Sequence, residues 1–162
     1  VPIKAYLLEA GLMEKSITVG ALYISSLKGM ALIHQHSHWS TSGIAFYGDH
    51  LLFERLYNSA LKDLDLAAEK FIGLFGDKVL DYDLQTDLLH KVLLKYNSLE
   101  GSPLEMSLKI EKDFLKLSQQ SYKVFEDEET LTLGLDDMIL SIASQREESV
   151  YLLQQALKGN TE

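Results

Sequence analysis

Five side chains in the first half of the chain are of the types that hold a divalent transition metal: His38, His50, Glu54, Asp65 and Glu69. His50 and Glu54 stand four residues apart, and so do Asp65 and Glu69. On a helix that spacing places two side chains on one face, where each pair can converge on one ion. At a rise of about 1.5 Å per residue, Glu54 and Asp65 lie roughly 16 Å apart along the axis, too far for the pairs to share a metal. Each pair is therefore half a site. Two copies of the helix crossing antiparallel about a two-fold axis would set each His50/Glu54 pair against the other copy's Asp65/Glu69 pair. Two equivalent sites would result, as an isologous interface requires. His38 is the natural third donor on the His50 side. Two imidazoles and three carboxylates suit ferrous iron, with zinc and manganese as competitors. Ordinary surface charge is the competing reading of the same residues, and spacing alone does not remove it.

The helix that carries these pairs is predicted from about Phe46 to about Phe75, closed by Gly73 and Gly76. With His50 at zero and about 100° per residue, Phe53, Leu56, Ala60, Leu64, Ala67, Phe71 and Leu74 fall between about 240° and 320°, a core stripe. Arg55, Ser59, Lys62, Asp63 and Lys70 fall between about 120° and 220°, a solvated side. A third sector, from about 0° to about 100°, holds His50, Glu54, Asp65 and Glu69 interleaved with Tyr57, Leu61, Ala68 and Ile72. Leucine and isoleucine beside carboxylates fit neither water nor a core. They fit a buried interface with ligands in it, where the carboxylates would repel one another without a cation.

The rest of the chain reads as helices that position this one. A first helix is predicted from about Ile17 to about His36, with Val19, Leu22, Leu27 and Met30 to Ile33 as its apolar positions. Ile3 to Leu12 forms a short arm or a first turn, and Ser40-Thr41-Ser42-Gly43 is a loop of turn formers. A short helix is predicted from about Leu84 to Tyr96. Ser102-Pro103-Leu104-Glu105 combines a capping box with proline at the first helical position, starting a helix that runs to about Glu126. The last helix is predicted from about Leu135 to Lys158, with Leu135, Ile139, Ile142, Val150, Leu153 and Leu157 inward and Gly159 behind it. These elements make an all-α four-helix bundle with a short helix in the crossover between helices two and three, one domain over residues 1–162.

Composition agrees. The 162 residues are 46% hydrophobic and 24% charged, with only two prolines. Cysteine is missing, which excludes disulfides, thiolate metal sites and thiol nucleophiles. No apolar run is read as approaching the ~18 residues of a membrane span, and no signal-peptide pattern opens the chain, so no membrane partner is expected. With 15 Lys+Arg against 24 Asp+Glu the formal charge is -9. Such a chain repels phosphate backbones and attracts cations, so DNA is not expected as a partner.

His38-Trp39, Gly43, Phe46, His50, Glu54, Asp65, Ala68 and Glu69 together resemble the signature of the Dps (mini-ferritin) family, within the ferritin-like superfamily. That family shows His-Trp, then Gly and Phe in a loop. A second His follows twelve residues after the first, an acid four later, an Asp eleven later and a Glu four after that. The similarity extends to Leu135-Asp136-Asp137-Met138-Ile139 at the start of the last helix and to Glu147, Tyr151, Leu152 and Leu153 near its end. The resemblance implies a cytoplasmic, hollow homo-dodecamer with ferroxidase centres at its two-fold interfaces, each handling two iron ions. Such centres oxidise Fe(II) with hydrogen peroxide, or more slowly with oxygen, and the ferric product is stored as mineral, which protects against oxidative stress. It further implies that His38, His50 and Glu54 come from one subunit and Asp65 and Glu69 from its neighbour, with Trp39 beside the centre. An acidic pore near the start of the last helix is implied as well, lined by Asp137 with Asp136 and Glu129.

Three departures stand out. Glu54 replaces the usual Asp, a longer reach to the second metal. The lysine-rich DNA-binding tail of many members has no counterpart in the residues given, which offer only Lys4 and Lys15 near one end and Lys158 near the other. No Glu-x-x-His occurs, which argues against a metal site inside one bundle. A DNA-compacting protein of the same fold and a cage with structural zinc sites are the alternatives.

Weaker signals remain. His34 and His38 are four apart, and His34 and His36 are read first as structural histidines and second as accessory ligands. Asp87 and His90 read as surface. The run Glu126-Asp127-Glu128-Glu129 reads as a solvated charge run, although acids at a helix C-terminus oppose the macrodipole.

Overall fold

The computed structural model describes residues 12–159, so the predicted arm at residues 3–11 lies outside the described residues. Five α-helices follow one another: α1 (Leu12–Ser40), α2 (Phe46–Phe75), α3 (Tyr82–Asn97), α4 (Pro103–Asp127) and α5 (Leu133–Gly159), with a 3-10 turn at Asp77–Leu80 between α2 and α3. Helix α1 packs against α2 and α4, and α5 closes the bundle against α4 and α2. The crossover helix α3 lies on α1. This is the expected all-α four-helix bundle.

Local chemistry explains the ends that the sequence placed well. At α4, the Ser102 hydroxyl accepts from the Glu105 amide at 3.3 Å while the Glu105 carboxylate accepts from the Ser102 amide at 2.7 Å, the reciprocal pattern of a capping box. Asp81 caps α3 by accepting from the Leu84 amide at 2.9 Å. Gly76 ends α2 with φ 78°, a left-handed conformation that glycine adopts without strain, and its amide returns to the Ile72 carbonyl. Gly73, expected to share that role, lies inside α2.

Helix α1 is longer than expected at both ends, and packing is the reason. It is buried on every face from Val19 to Leu27, and Ser16 and Ser37 near its ends are buried too. Tertiary contact thus sustains helix beyond the reach of local signals. The same burial corrects the expectation about membrane-length runs. The stretch Glu14–Ser40 is long and apolar enough to cross a bilayer by length and composition, but 72% of its most apolar window is buried inside the protein. It is the central helix of the bundle.

Glycine has one steric duty here. A Cβ on Gly29 would stand 2.6 Å from Cγ1 of Val92, so α3 can lie this close to α1 only over a glycine. On α2 the buried positions are Phe53, Leu56, Ala60, Asp63, Ala67 and Phe71. Leu64 is only half-buried, and Leu74, expected in the core, is exposed in the helix's last turn.

Candidate metal centre

The last turn of α1 and the first turn of α2 are joined by the loop around Gly43, whose φ of 94° suits glycine. This hairpin brings His38 and His50 face to face. Their rings stack with centroids 3.7 Å apart and planes 23° from parallel. The bonding is reciprocal: His38 Nδ1–H donates to the His50 carbonyl at 2.9 Å, and His50 Nδ1–H donates to the His38 carbonyl at 3.0 Å. A carbonyl only accepts, so both rings carry their proton on Nδ1, and in each neutral ring Nε2 keeps its lone pair. Metal-ligating histidines characteristically have their second nitrogen tied down in this way, which fixes tautomer and orientation. Phe46 packs on the His50 ring at 5.1 Å, and Tyr57 meets the His38 ring edge-on at 5.5 Å.

Glu54 is exposed one turn beyond His50, and Asp65 and Glu69 are exposed further along the same helix. Among the described residues, no group of three or more histidine or acidic side chains gathers in a form that could hold a metal ion. The structure therefore brings His38 and His50 together, with Glu54 on the adjoining turn, and leaves Asp65 and Glu69 apart from them. Around these positions Trp39, Phe46, Tyr47, Leu51, Leu61 and Leu66 are all exposed, Trp39 at 65%. The mixed sector of α2 is partly its own chain's business, because Ala68 and Ile72 pack on the core. Trp39 lies 5.6 Å from His36.

A buried ionic cluster went unread in the sequence. Asp63, placed on the solvated side, is 2% exposed and pairs with fully buried Arg146 at 3.1 Å. Ser59, placed there as well, accepts a hydrogen bond from Arg146. Burial pushes the Asp63 carboxyl up to about 6; Arg146 opposes this and Glu111 adds to it. His34 is the satisfied core histidine that was expected first. Its Nε2 lies 2.9 Å from the Glu111 carboxylate, to which it donates, and its Nδ1 shares a hydrogen bond with the Ser107 hydroxyl at 3.1 Å. The missed signal was positional. Arg146 follows Ile142 by four residues and precedes Leu153 by seven, inside the apolar stripe of α5.

Two of the four acids in the run at the α4–α5 corner carry an ion pair. Glu128 pairs with Lys15 at 2.9 Å and Asp127 with Lys123 at 3.2 Å. Glu129 takes a left-handed conformation with φ 56°, Asp136 accepts from the Tyr122 hydroxyl, and Asp137 is exposed. Asp87 pairs with Lys91 on the exposed side of α3, where His90 is exposed too, as the surface reading expects.

No family model matches the chain, and no curated protein matches it. Among solved structures it is similar to the X-ray structure of Dps from Thermosynechococcus elongatus. The TM-score is 0.76 over 90% of this chain and 92% of that one, at 22% sequence identity. The bundle, with its crossover helix, thus has the ferritin-like fold of a Dps.

Proposed function

We propose that the protein is a mini-ferritin that takes Fe(II) as substrate, oxidises it at two-fold interfaces with hydrogen peroxide or oxygen, and keeps the ferric product inside a hollow dodecamer. The observation that carries this reading is the histidine pair, whose Nδ1 atoms are tied to each other's carbonyls so that both Nε2 lone pairs stay available. Glu54 on the next turn adds a carboxylate oxygen to that half. Asp65 and Glu69 of a second copy would supply the other half, and the exposed Leu51, Leu61 and Leu66 would be covered in the same step.

In this reading His38, His50 and Glu54 receive Fe(II) first, since two imidazoles and a carboxylate suit a divalent first-row ion. The three carboxylates together offset most of the charge of two divalent ions, so the centre tolerates a pair of them in a semi-apolar surrounding. Each Fe(II) gives one electron, so two Fe(II), one hydrogen peroxide and two protons yield two Fe(III) and two water molecules. Oxygen donors from Glu54, Asp65 and Glu69 favour the harder ferric product. Asp137, with Asp136 and Glu129, would line the entry path at the α4–α5 corner, and Trp39 would stand beside the centre. A cytoplasmic location goes with this reading.

The test is anaerobic Fe(II) addition followed by hydrogen peroxide, with ferric absorbance and stoichiometry recorded. Rapid absorbance growth at about two Fe(II) per peroxide supports the reading. Tight Zn(II) binding with Fe(II) oxidation no faster than in buffer would replace it with a structural zinc cage.

A further inference from the structure

A cavity of about 290 Å³ lies between α1, α3 and α4. None of the candidate metal ligands lines it. Its apolar walls come from Leu22 of α1, Val92 of α3 and Ile110, Phe114 and Leu117 of α4. Packing holds those walls in place. Ile110 and Phe114 are 3% and 2% exposed, and Phe114 meets the Tyr23 ring edge-on with centroids 4.8 Å apart. Val92 is seated over Gly29. The cavity is therefore preformed, with the mixed lining of a small-molecule site.

Two features of its lining are left over from the fold. Ser26 is 8% exposed, and its hydroxyl has no hydrogen-bond partner among the described residues. Buried hydroxyls are ordinarily paired, as Ser149 is to the Gln145 carbonyl one turn before it. The Ser26 hydroxyl is thus free to bond an occupant. The second feature is charge. Asp113 accepts from Lys95 at 2.6 Å, from the Tyr96 hydroxyl at 2.9 Å and from Lys109 at 3.2 Å, so that carboxylate is fully engaged. Lys116, exposed at the cavity's edge, has no ion pair among the described residues. Three lysines there stand against one aspartate, a local positive excess in a chain of formal charge -9.

Those features select the occupant. Positive charge at the edge attracts an anion and repels an amine. Lys95 keeps donors beyond its bond to Asp113, and Lys116 has all of its own, which suits a carboxylate. A bare inorganic anion would leave the apolar walls facing water. A flat ring fills that space and packs against the rings of Phe114 and Tyr96, which line it. A hydroxyl on the ring meets Ser26.

We propose that the cavity between α1, α3 and α4 is a binding site for a small hydroxylated aromatic carboxylate, held by Lys116 and Lys95 at its acid group and by Ser26 at its hydroxyl. The site stands apart from the function proposed above, and either can fail without the other.

The experiment titrates the purified, metal-free protein with para-hydroxybenzoate by calorimetry. Binding should saturate at about one molecule per chain and raise the melting temperature. Benzoate, which lacks the hydroxyl, should bind about fivefold more weakly, and Ser26→Ala should erase that difference. The amine para-hydroxybenzylamine, which keeps ring and hydroxyl but reverses the charge, should not bind. Lys116→Glu, at an exposed position that tolerates substitution, should weaken para-hydroxybenzoate by about fivefold. Leu117→Trp should fill the cavity and abolish binding. No binding to the wild type, equal binding of the amine, or full affinity in Lys116→Glu would overturn the proposal. So would full affinity in folded Leu117→Trp, which would put the ligand elsewhere. If Leu117→Trp does not fold, Lys116→Glu and the amine decide the case alone.

Discussion

The proposed division of the centre into a His50/Glu54 half and an Asp65/Glu69 half along α2 is testable by complementation. One variant carries His50→Ala and Glu54→Ala, the other Asp65→Ala and Glu69→Ala. Glu54, Asp65 and Glu69 are exposed, so their removal should change stability by no more than about 0.5 kcal/mol each. Loss of His50 also removes its bond to the His38 carbonyl, at a cost of about 1 kcal/mol. Both variants should fold. Each alone has no intact centre and should oxidise Fe(II) at the buffer rate. Co-expression in equal amounts makes about half of the two-fold interfaces mixed, and a mixed interface joins two damaged halves at one site and two intact halves at the other. About a quarter of the wild-type rate should therefore return. The assay is peroxide-driven ferric absorbance on cages shown by mass spectrometry to contain both chains. Mixed cages as inactive as either parent would refute the intersubunit geometry.

Three further outcomes follow from particular contacts. Gly29→Ala drives a Cβ to 2.6 Å from Val92 and should cost about 1–3 kcal/mol, read as a lower melting temperature that Val92→Ala partly restores. Burial alone would raise the Asp113 carboxyl, but hydrogen bonds from Lys95, Tyr96 and Lys109 outweigh it and hold it below its usual range. A depressed folded-state value means stability that is present above the unfolded-state value and lost as pH falls through the folded one. Urea unfolding from about pH 7 to about pH 3 should therefore show a shallower acid loss in Asp113→Asn. With a formal charge of -9 per chain, the untagged protein should fail to retard DNA at moderate salt in a gel-shift assay.

What could be read in the sequence depended on whether a signal was local. The bounds of α2 emerged correctly because its loop and its C-terminal glycine lie within a few residues of them. The start of α4 was legible for the same reason, its capping box being written in four consecutive residues. Helix α1 was read too short because its ends are held by residues distant in sequence, Lys15 and Ser16 by Glu128 and Thr130, and Ser37 and His38 by Ser107 and His50, which no local pattern encodes. Asp63 was misplaced on the wheel by a small margin. It sits at about 220°, beside a core stripe that begins near 240°, so a modest shift in packing carries it inside. Arg146 was passed over because a stripe is recognised by its apolar members, and an arginine among them looks like an interruption. It gains sense only when His34, Asp63 and Glu111 are seen to interrupt their own helices at the same place.

The treatment of charge separates the two kinds of acid in this chain. Where carboxylates enter the bundle or its margins, the chain supplies the cation itself: Arg146 for Asp63, Lys95 for Asp113, Lys15 for Glu128. Glu54, Asp65 and Glu69 have no ion pair among the described residues, and Leu51, Leu61 and Leu66 of the same helix are exposed. Solvent satisfies them while that face is open. Covering the leucines with a second copy would remove the solvent and leave those carboxylates facing one another, so the same contact that buries the apolar surface demands a cation. If the histidine pair serves that cation, as proposed, its imidazole nitrogens would favour a first-row divalent metal over calcium or magnesium. Under the proposed function, assembly and metal binding would be one equilibrium, and each should tighten the other.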